Sequence, residues 1–427
     1  MKSNSQYSNK PTSRKRKRSL ARQLGCFLSK AGLVKPVNRV CLKQKRQKKA
    51  NGATFLLQFL FSFVFLVSGA YAMKVNPIPK NVLALFRVQK FLAKSSFYRE
   101  ICNLNLESLQ AFTDCLAKKI AKTSKKVIVT LDSHALKVWS EKYASATWGY
   151  NSDGSFFGYK VFAAILHGAD IVIDHLVAPA NFVDLNFAEP QVNRLLQKLS
   201  KIDVLLMDRG YFSFTFFAFL IEKGIGFVTV AKQDTAAIQP YLRDISRCAF
   251  HELKTGCWYH ETILWFEPLR QNLRVIFVRK EAKGELHEYE LITNLPAEYS
   301  TAQIIELYSK RQGREDVFDR LENELCLHKP CKIKSFAGVQ AFVALTIASY
   351  NAYAIFSNNL VGAYVTLQTM YRWFLFNEID EMIASKKIGR AIDEVIREAE
   401  RYKQDSRQTL FDKGKSANFG LATTFFA

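Results

Sequence analysis

The chain has 427 residues, 48% of them hydrophobic and 23% charged, with a formal net charge of +23 and a pI near 9.6. Such a balance excludes a disordered or low-complexity protein and leaves room for about two or three domains with a sizeable core. The charge is uneven: Met1–Arg99 holds 22 Lys and Arg and no acid, whereas the remainder carries 39 basic against 38 acidic residues. Contacts between the body and a polyanion must therefore come from local patches and not from pI.

The eight cysteines, at positions 26, 41, 102, 115, 248, 257, 326 and 331, include no Cys-x-x-Cys pair. They are too sparse for a disulfide scaffold, and reduced, mostly buried thiols are expected. The seven histidines contain no His-Glu-x-x-His motif, so structural zinc is not expected.

Met1–Gly52 is a basic polar tail with the runs Arg14–Arg18 and Lys43–Lys49, of the kind that stays disordered and binds polyanions. The uncharged stretch Ala53–Met73 follows. Its length is about that of a transmembrane helix, and Ala70-Tyr71-Ala72 resembles a signal-peptidase site. A signal peptide, a membrane anchor and an upstream extension preceding a functional start at Met73 all remain open at this point.

Residues 74–125 have the apolar spacing of a small helical lead-in. Lys126–Leu131 is β-branched and short, a buried strand ending at Asp132. Tyr159–Leu166 and Ile171–Ala178 form a hairpin around His167–Asp170, and Phe187–Lys201 is a helix. Asp203–Met207 is a second buried strand, ending at Asp208. Phe212–Lys223 is a helix closed by Gly224, and Phe227–Ala231 is a further strand. The order predicts a mixed α/β fold with Asp132 and Asp208 at the ends of central strands. A β-rich insertion over about 233–292 interrupts it, with strand alternation in Glu261–Phe266, Arg274–Arg279 and Leu286–Thr293. Ile304–Leu327 then reads as one amphipathic helix on which Tyr308, Arg311, Glu315 and Glu322 fall within about 40° of one another. That face is either a solvated stripe of charge pairs or part of a site. Ser335–Ser357 and Leu367–Tyr402 read as packed helices within a C-terminal region, 335–427.

Singly, each strand-end aspartate is an ordinary turn or cap residue. Two on one sheet, followed by a glutamate on a later helix, form a set of carboxylates without His or Cys that suits Mg²⁺. Two such ions, roughly 4 Å apart, can serve displacement at a phosphodiester.

VTLDS at Val129–Ser133, VAPANFVD at Val177–Asp184, MDRGYFS at Met207–Ser213, ITNL at Ile292–Leu295 and YSKRQGRE at Tyr308–Glu315 together resemble the DDE transposases of bacterial insertion sequences. The similar subgroup carries a Tyr-(2)-Arg-(3)-Glu-(6)-Lys signature and a β-rich insertion before its last acid. The resemblance implies an RNase H-like catalytic domain, spanning 126–334 here, with Asp132, Asp208 and Glu315 holding two Mg²⁺ or Mn²⁺ ions. It also implies cutting at transposon ends, strand transfer into target DNA, and a homodimer or larger assembly on DNA without a small-molecule substrate. Tyr308 and Arg311 match the signature positions that contact DNA phosphate; Arg209, Arg314 and Lys160 are further candidate phosphate contacts. The fourth signature position departs, with Glu322 in place of Lys. Arg314, Lys329 or Lys332 is then the replacement charge, or this copy is a degenerate, impaired DNA-binding relic.

Asp184 matches a recurrent acid of the family but is expected to be a turn residue. Trp258 and Trp265 are expected in a buried core rather than as base-holding aromatics. An enzyme of DNA must lie with its DNA, in the cytoplasm and about the nucleoid. That favours an upstream extension before Met73 over a working signal or anchor.

Overall fold

The computed structural model describes residues 23–43, 52–64, 84, 86–88, 91–121, 124, 126–151, 154–232, 235, 238–240, 249–282, 284–312, 315–325, 327, 333–361, 364–366 and 370. The chain divides into two compact units, one of Thr113–Asp319 with Lys334–Phe336, the other of Met1–Phe112, Arg320–Ile333 and Ala337–Ala427.

The first unit is built on one ten-stranded sheet of the described strands. Its core strands are β1 (Ile128–Lys137), β2 (Thr147–Asn151), β3 (Gly154–Leu166), β4 (Ile171–Pro179), β5 (Val204–Leu206) and β6 (Gly226–Val230). The long β3 pairs antiparallel with β1 along one edge and with β2 and β4 along the other. β1, β5 and β6 run parallel. The order β4-β3-β1-β5-β6, with β3 reversed, is that of an RNase H-like core, as expected from the sequence. β5 is short and buried on both faces, and its Val204, Leu205 and Leu206 have no exposed surface, as a central parallel strand requires.

β1 does not stop at Asp132. It runs on to Lys137 because β3 pairs with it antiparallel over nine residues, Asp132 against Ala163 and Lys137 against Gly158. The parallel partner β5 ends much sooner, its last rung joining Thr130 to Leu206. Asp132 thus lies beyond the parallel ladder yet within the strand, a correction to the sequence reading.

The insertion is not a separate layer. Its strands β7 (His251–Lys254), β8 (Cys257–Phe266), β9 (Gln271–Ala282) and β10 (Glu285–Thr293) extend the core sheet in the order β6-β10-β9-β8-β7. ITNL closes this join. Asn294 Oδ1 accepts from Phe227 N at 2.7 Å, its Nδ2 donates to Ile225 O at 3.1 Å, and Thr293 Oγ1 donates to Phe227 O at 2.6 Å.

In this unit, α5 (Leu185–Lys198) and α6 (Phe214–Glu222) cover one face of the sheet, through Phe187 on Phe162 and Phe217 stacked on Phe227. The opposite face is covered by α7 (Thr301–Gln312), whose Ile304, Ile305 and Tyr308 bury against Val204, Leu206, Val228, Ile276 and Leu291. Full burial of an isoleucine contributes about 1.5–3 kcal/mol. That outweighs the exposed Lys310–Glu306 pair at 2.8 Å, whose screened, mobile charges add little. α7 is therefore placed by its apolar stripe.

Of the helix expected over Ile304–Leu327, the described residues show α7 and α8 (Glu315–Asn323), with turn rather than helix after Asn323. Residues 313 and 314 lie between them, outside the described residues. The apolar positions were nonetheless legible: Ile304, Tyr308, Phe318, Leu321 and Leu325 are all buried.

In the other unit the described helices include α1 (Val34–Arg39), α2 (Gly52–Val64), α3 (Lys94–Glu100) and the apolar α9 (Phe336–Val361), and the division between the units falls within α4 (Leu106–Ala121). α2 is the described part of the apolar stretch. Its Phe55, Leu56 and Leu57 are buried, and Gln58 exchanges two hydrogen bonds with the backbone of Leu92. Among the described residues one helix, Phe336–Asn359, is long and apolar enough to cross a membrane, and 89% of its apolar window is buried within the protein. Met73, the basic runs Arg14–Arg18 and Lys43–Lys49 for all but Lys43, and most of Leu367–Tyr402 lie outside the described residues.

Five described cysteines are free, but only Cys257 is buried; Cys26 and Cys41 are exposed. The expectation of mostly buried thiols fails for these because Cys26 lies on an exposed position within the helix over 23–30 and Cys41 on the surface just after residues 34–39, another helix.

Candidate active site

Asp132 and Asp208 each follow the last parallel rung, Thr130 against Leu206, by two residues. By the two-residue period of extended chain, both side chains issue on the face covered by α7. Asp208 has extended backbone, φ −85° and ψ −178°, and opens the short 3-10 turn Arg209–Tyr211. Its Oδ1 accepts from Gly210 N at 2.8 Å, and its carbonyl accepts from Thr229 Oγ1 at 3.1 Å. Asp132 Oδ1 accepts from Ser133 N at 2.9 Å.

α7 brings a cation to this pair. Arg311, one turn past the anchoring Tyr308, places Nη1 3.8 Å from Asp132 Oδ2, with the two side chains only 18% and 16% exposed. Arg311 Nε is buried without a hydrogen-bond partner. The guanidinium lies 5.5 Å from the centroid of the Tyr308 ring, which itself packs on Tyr289. Burial raises the Asp208 carboxyl above its usual range; Arg311 opposes that rise and the charge of Asp184 adds to it. The Tyr308 hydroxyl is likewise raised by burial.

Each residue of MDRGYFS has a place. Met207 and Tyr211 are buried, Arg209 is exposed, and Ser213 caps α6 by accepting from Phe216 N. Gly210 has no room for a side chain, since a Cβ there would meet Asp184 Oδ2 at 2.7 Å and Asp208 Oδ1 at 3.0 Å. The Tyr211 hydroxyl is raised well above its ordinary range by burial and by the charges of Asp184, Asp132 and Asp208. It has no hydrogen-bond partner.

Asp184 is a turn residue, as expected, but its side chain has a use beyond the turn. It precedes α5 at the N-cap position but its side chain caps nothing. The carboxylate turns instead to Gly210 and to Lys160, whose Nζ lies 3.5 Å from Oδ1. The available signal was its place in VAPANFVD, directly after the strand that pairs with the one carrying Lys160. Lys160 is therefore a partner of a site carboxylate.

Glu315 is the first residue of α8, and its side chain lies outside the described residues, as does Arg314. One turn later, Phe318 stacks on His134 at 4.6 Å and 12°. His134 is two residues beyond Asp132 on the same face of β1. The start of α8 is thus tied to the strand that carries Asp132. Glu322 is half-buried near the end of that helix, and Lys329 and Lys332 lie outside the described residues. Arg209 faces Glu290, a carboxyl raised by burial that its charge pulls back. Trp265 is exposed on β8, with Nε1 donating to Glu267 Oε2 at 2.6 Å, and Trp258 is half-buried. Neither is the buried core residue expected: Trp265 shares a β8 face with the exposed Ile263, and Trp258 lies on the opposite face, half-buried.

The oxygens that converge here are carboxylate and phenol, hard donors of the kind Mg²⁺ and Mn²⁺ take. The raised Asp208 carboxyl is a cost that a bound cation relieves. The donor set therefore fits a divalent cation. Among the described residues no three His, Cys, Asp or Glu side chains gather into a complete cation-binding group.

A profile of the transposase DDE domain matches residues 123–352, more than half of the chain. The chain therefore belongs to the DDE transposase family, whose members are enzymes of DNA strand transfer. No curated protein is significantly similar to it in sequence. Among solved structures, piggyBac transposase in a synaptic complex with hairpin DNA is similar at 13% identity and a TM-score of 0.44, over 83% of this chain and 79% of that one.

Proposed function

We propose that this transposase cuts DNA at the ends of an insertion sequence and joins the freed 3′-hydroxyl to target DNA, using Mg²⁺ or Mn²⁺ held by Asp132, Asp208 and Glu315. The observation that carries the reading is the placement of Asp132 and Asp208 side by side past the last parallel rung, under Arg311. Two divalent ions bound there supply activation of the attacking oxygen and stabilisation of the leaving one.

The chain's own residues do the rest. Arg311 is permanently charged and mostly buried, so it offers a fixed fork to a phosphate rather than a mobile one. Tyr308 fixes its direction from the apolar side. Arg209, exposed beside Asp208, follows the DNA backbone, and Arg314 is a further phosphate contact. Lys160 acts through Asp184. Paired DNA ends call for a dimer or larger assembly, and work on DNA places the protein in the cytoplasm with the nucleoid. The catalytic domain spans 126–334, with the basic tail 1–52 adding salt-sensitive, non-specific DNA affinity.

A second reading rests on Glu322, a carboxylate where the family signature has Lys: the copy retains the fold and binds DNA but turns over poorly. The test incubates the full chain with DNA carrying the inverted repeats that flank its gene, with Mg²⁺ or Mn²⁺, and scores nicked and joined products. Cutting at the repeat ends is expected. DNA binding without cutting, repaired by Glu322→Lys, favours the second reading; neither binding nor cutting overturns both.

A further inference from the structure

The position before a helix normally puts an aspartate to use on the first free N–H groups. Asp184 holds that position before α5 and makes no such bond. Its carboxylate is spent elsewhere. Oδ1 lies 3.5 Å from Lys160 Nζ, and the two side chains are only 14% and 16% exposed. Oδ2 lies 2.7 Å from where a Cβ on Gly210 would stand, with Asp208 Oδ1 3.0 Å from the same point. The third participant is Tyr211, whose side chain is 1% exposed and whose hydroxyl has no partner in the protein. A buried phenol left unpaired beside three carboxylates is costly unless a polar ligand, such as water carried on a cation, completes it.

We propose that Asp184 is a positioning residue of the site: with Lys160 as its counter-ion, it fixes the Asp208–Tyr211 turn and strengthens the hold on a divalent cation without ligating it. The inference rests on the metal reading given above. Gly210 is the contact through which it works. With no side chain between them, the Asp184 carboxylate sits against the backbone that sets Asp208, and its charge bears on whatever Asp208 binds. Lys160 moderates that charge, so the two residues of the pair have opposite effects on cation affinity although both support the same ion pair.

This opposition separates the proposal from a merely structural salt bridge. Mn²⁺ is titrated into the full-length protein without DNA, and free Mn²⁺ is followed by electron paramagnetic resonance. Asp184→Asn is expected to weaken binding about 10-fold or more, the range for loss of a supporting group outside the ligand set. Lys160→Gln removes a positive charge near the bound cation and is expected to tighten binding several-fold. Unchanged affinity in Asp184→Asn, or weakening in Lys160→Gln, overturns the proposal. Should Asp184→Asn fail to fold, the direction seen with Lys160→Gln decides alone, and no change there also counts against it. If the parent protein takes up no Mn²⁺, the metal reading itself falls; if the parent binds and Asp184→Asn binds equally, only the role of Asp184 falls.

Discussion

Asp132 and Asp208 stand at one level of the sheet, each two residues past the rung that joins Thr130 to Leu206. Neither is held by the other. Asp132 is placed by the antiparallel β3, and Asp208 by its own turn and by the Thr229 hydroxyl on its carbonyl. The charge of Arg311 bears on both.

Arg311→Ala should remove a charge that bears on both carboxylates, and with it the fork offered to phosphate. Loss of a preorganised charge at such a site costs about 10²–10³-fold in rate. Arg311→Lys keeps the charge but not the fork, and should recover only part of it. Single-turnover cleavage of end DNA measures both.

Gly210→Ala adds a methyl that meets Asp184 Oδ2 and Asp208 Oδ1 at less than ordinary contact. The carboxylates must move, since the turn behind them is fixed. Displacement of reacting groups by about 1 Å can cost 10²-fold. Cleavage should fall by about that factor while thermal unfolding shifts by only a few degrees.

Asn294→Ala tests a motif of the opposite kind. Its amide ties Phe227 N and Ile225 O at the start of β6 and touches nothing in the site. Removing it should cost about 1–3 kcal/mol of stability by leaving backbone groups unpaired, with cleavage by the folded fraction unchanged. Urea unfolding beside an activity assay at low temperature separates the two.

Asp174 predicts a pH dependence. It is buried on β4, and although burial alone would raise its carboxyl, Lys198 at 2.5 Å and Arg194 at 2.8 Å hold it below the usual value. A carboxyl depressed on folding adds stability above its unfolded pKa, about 3.9, and loses it as pH falls through the folded value. Asp174→Asn should cost about 3 kcal/mol at neutral pH, with the deficit shrinking as pH falls below about 4. Denaturant unfolding at both pH values checks this.

Much of the site was legible in the sequence because its parts are local. A short apolar strand, an aspartate and a glycine turn sit within a few residues of each other in MDRGYFS. What was not legible depends on partners distant along the chain. Nothing near Asp132 announces that a thirteen-residue β3 will carry β1 on to Lys137. Strand alternation revealed β8, β9 and β10, but not that they extend the core sheet, since pairing of β10 with β6 joins residues some sixty positions apart. Asp184 looked like a turn residue because its backbone is one; only the approach of Gly210 and Lys160 shows where the carboxylate is used.

The most direct test of the account is cleavage of cognate end DNA by the full-length protein in Mg²⁺ or Mn²⁺, repeated with Asp132→Ala, Asp208→Ala and Glu315→Ala. The account predicts that each variant binds the DNA but yields no nicked or joined product above background. Variants that cut as well as the parent would contradict it.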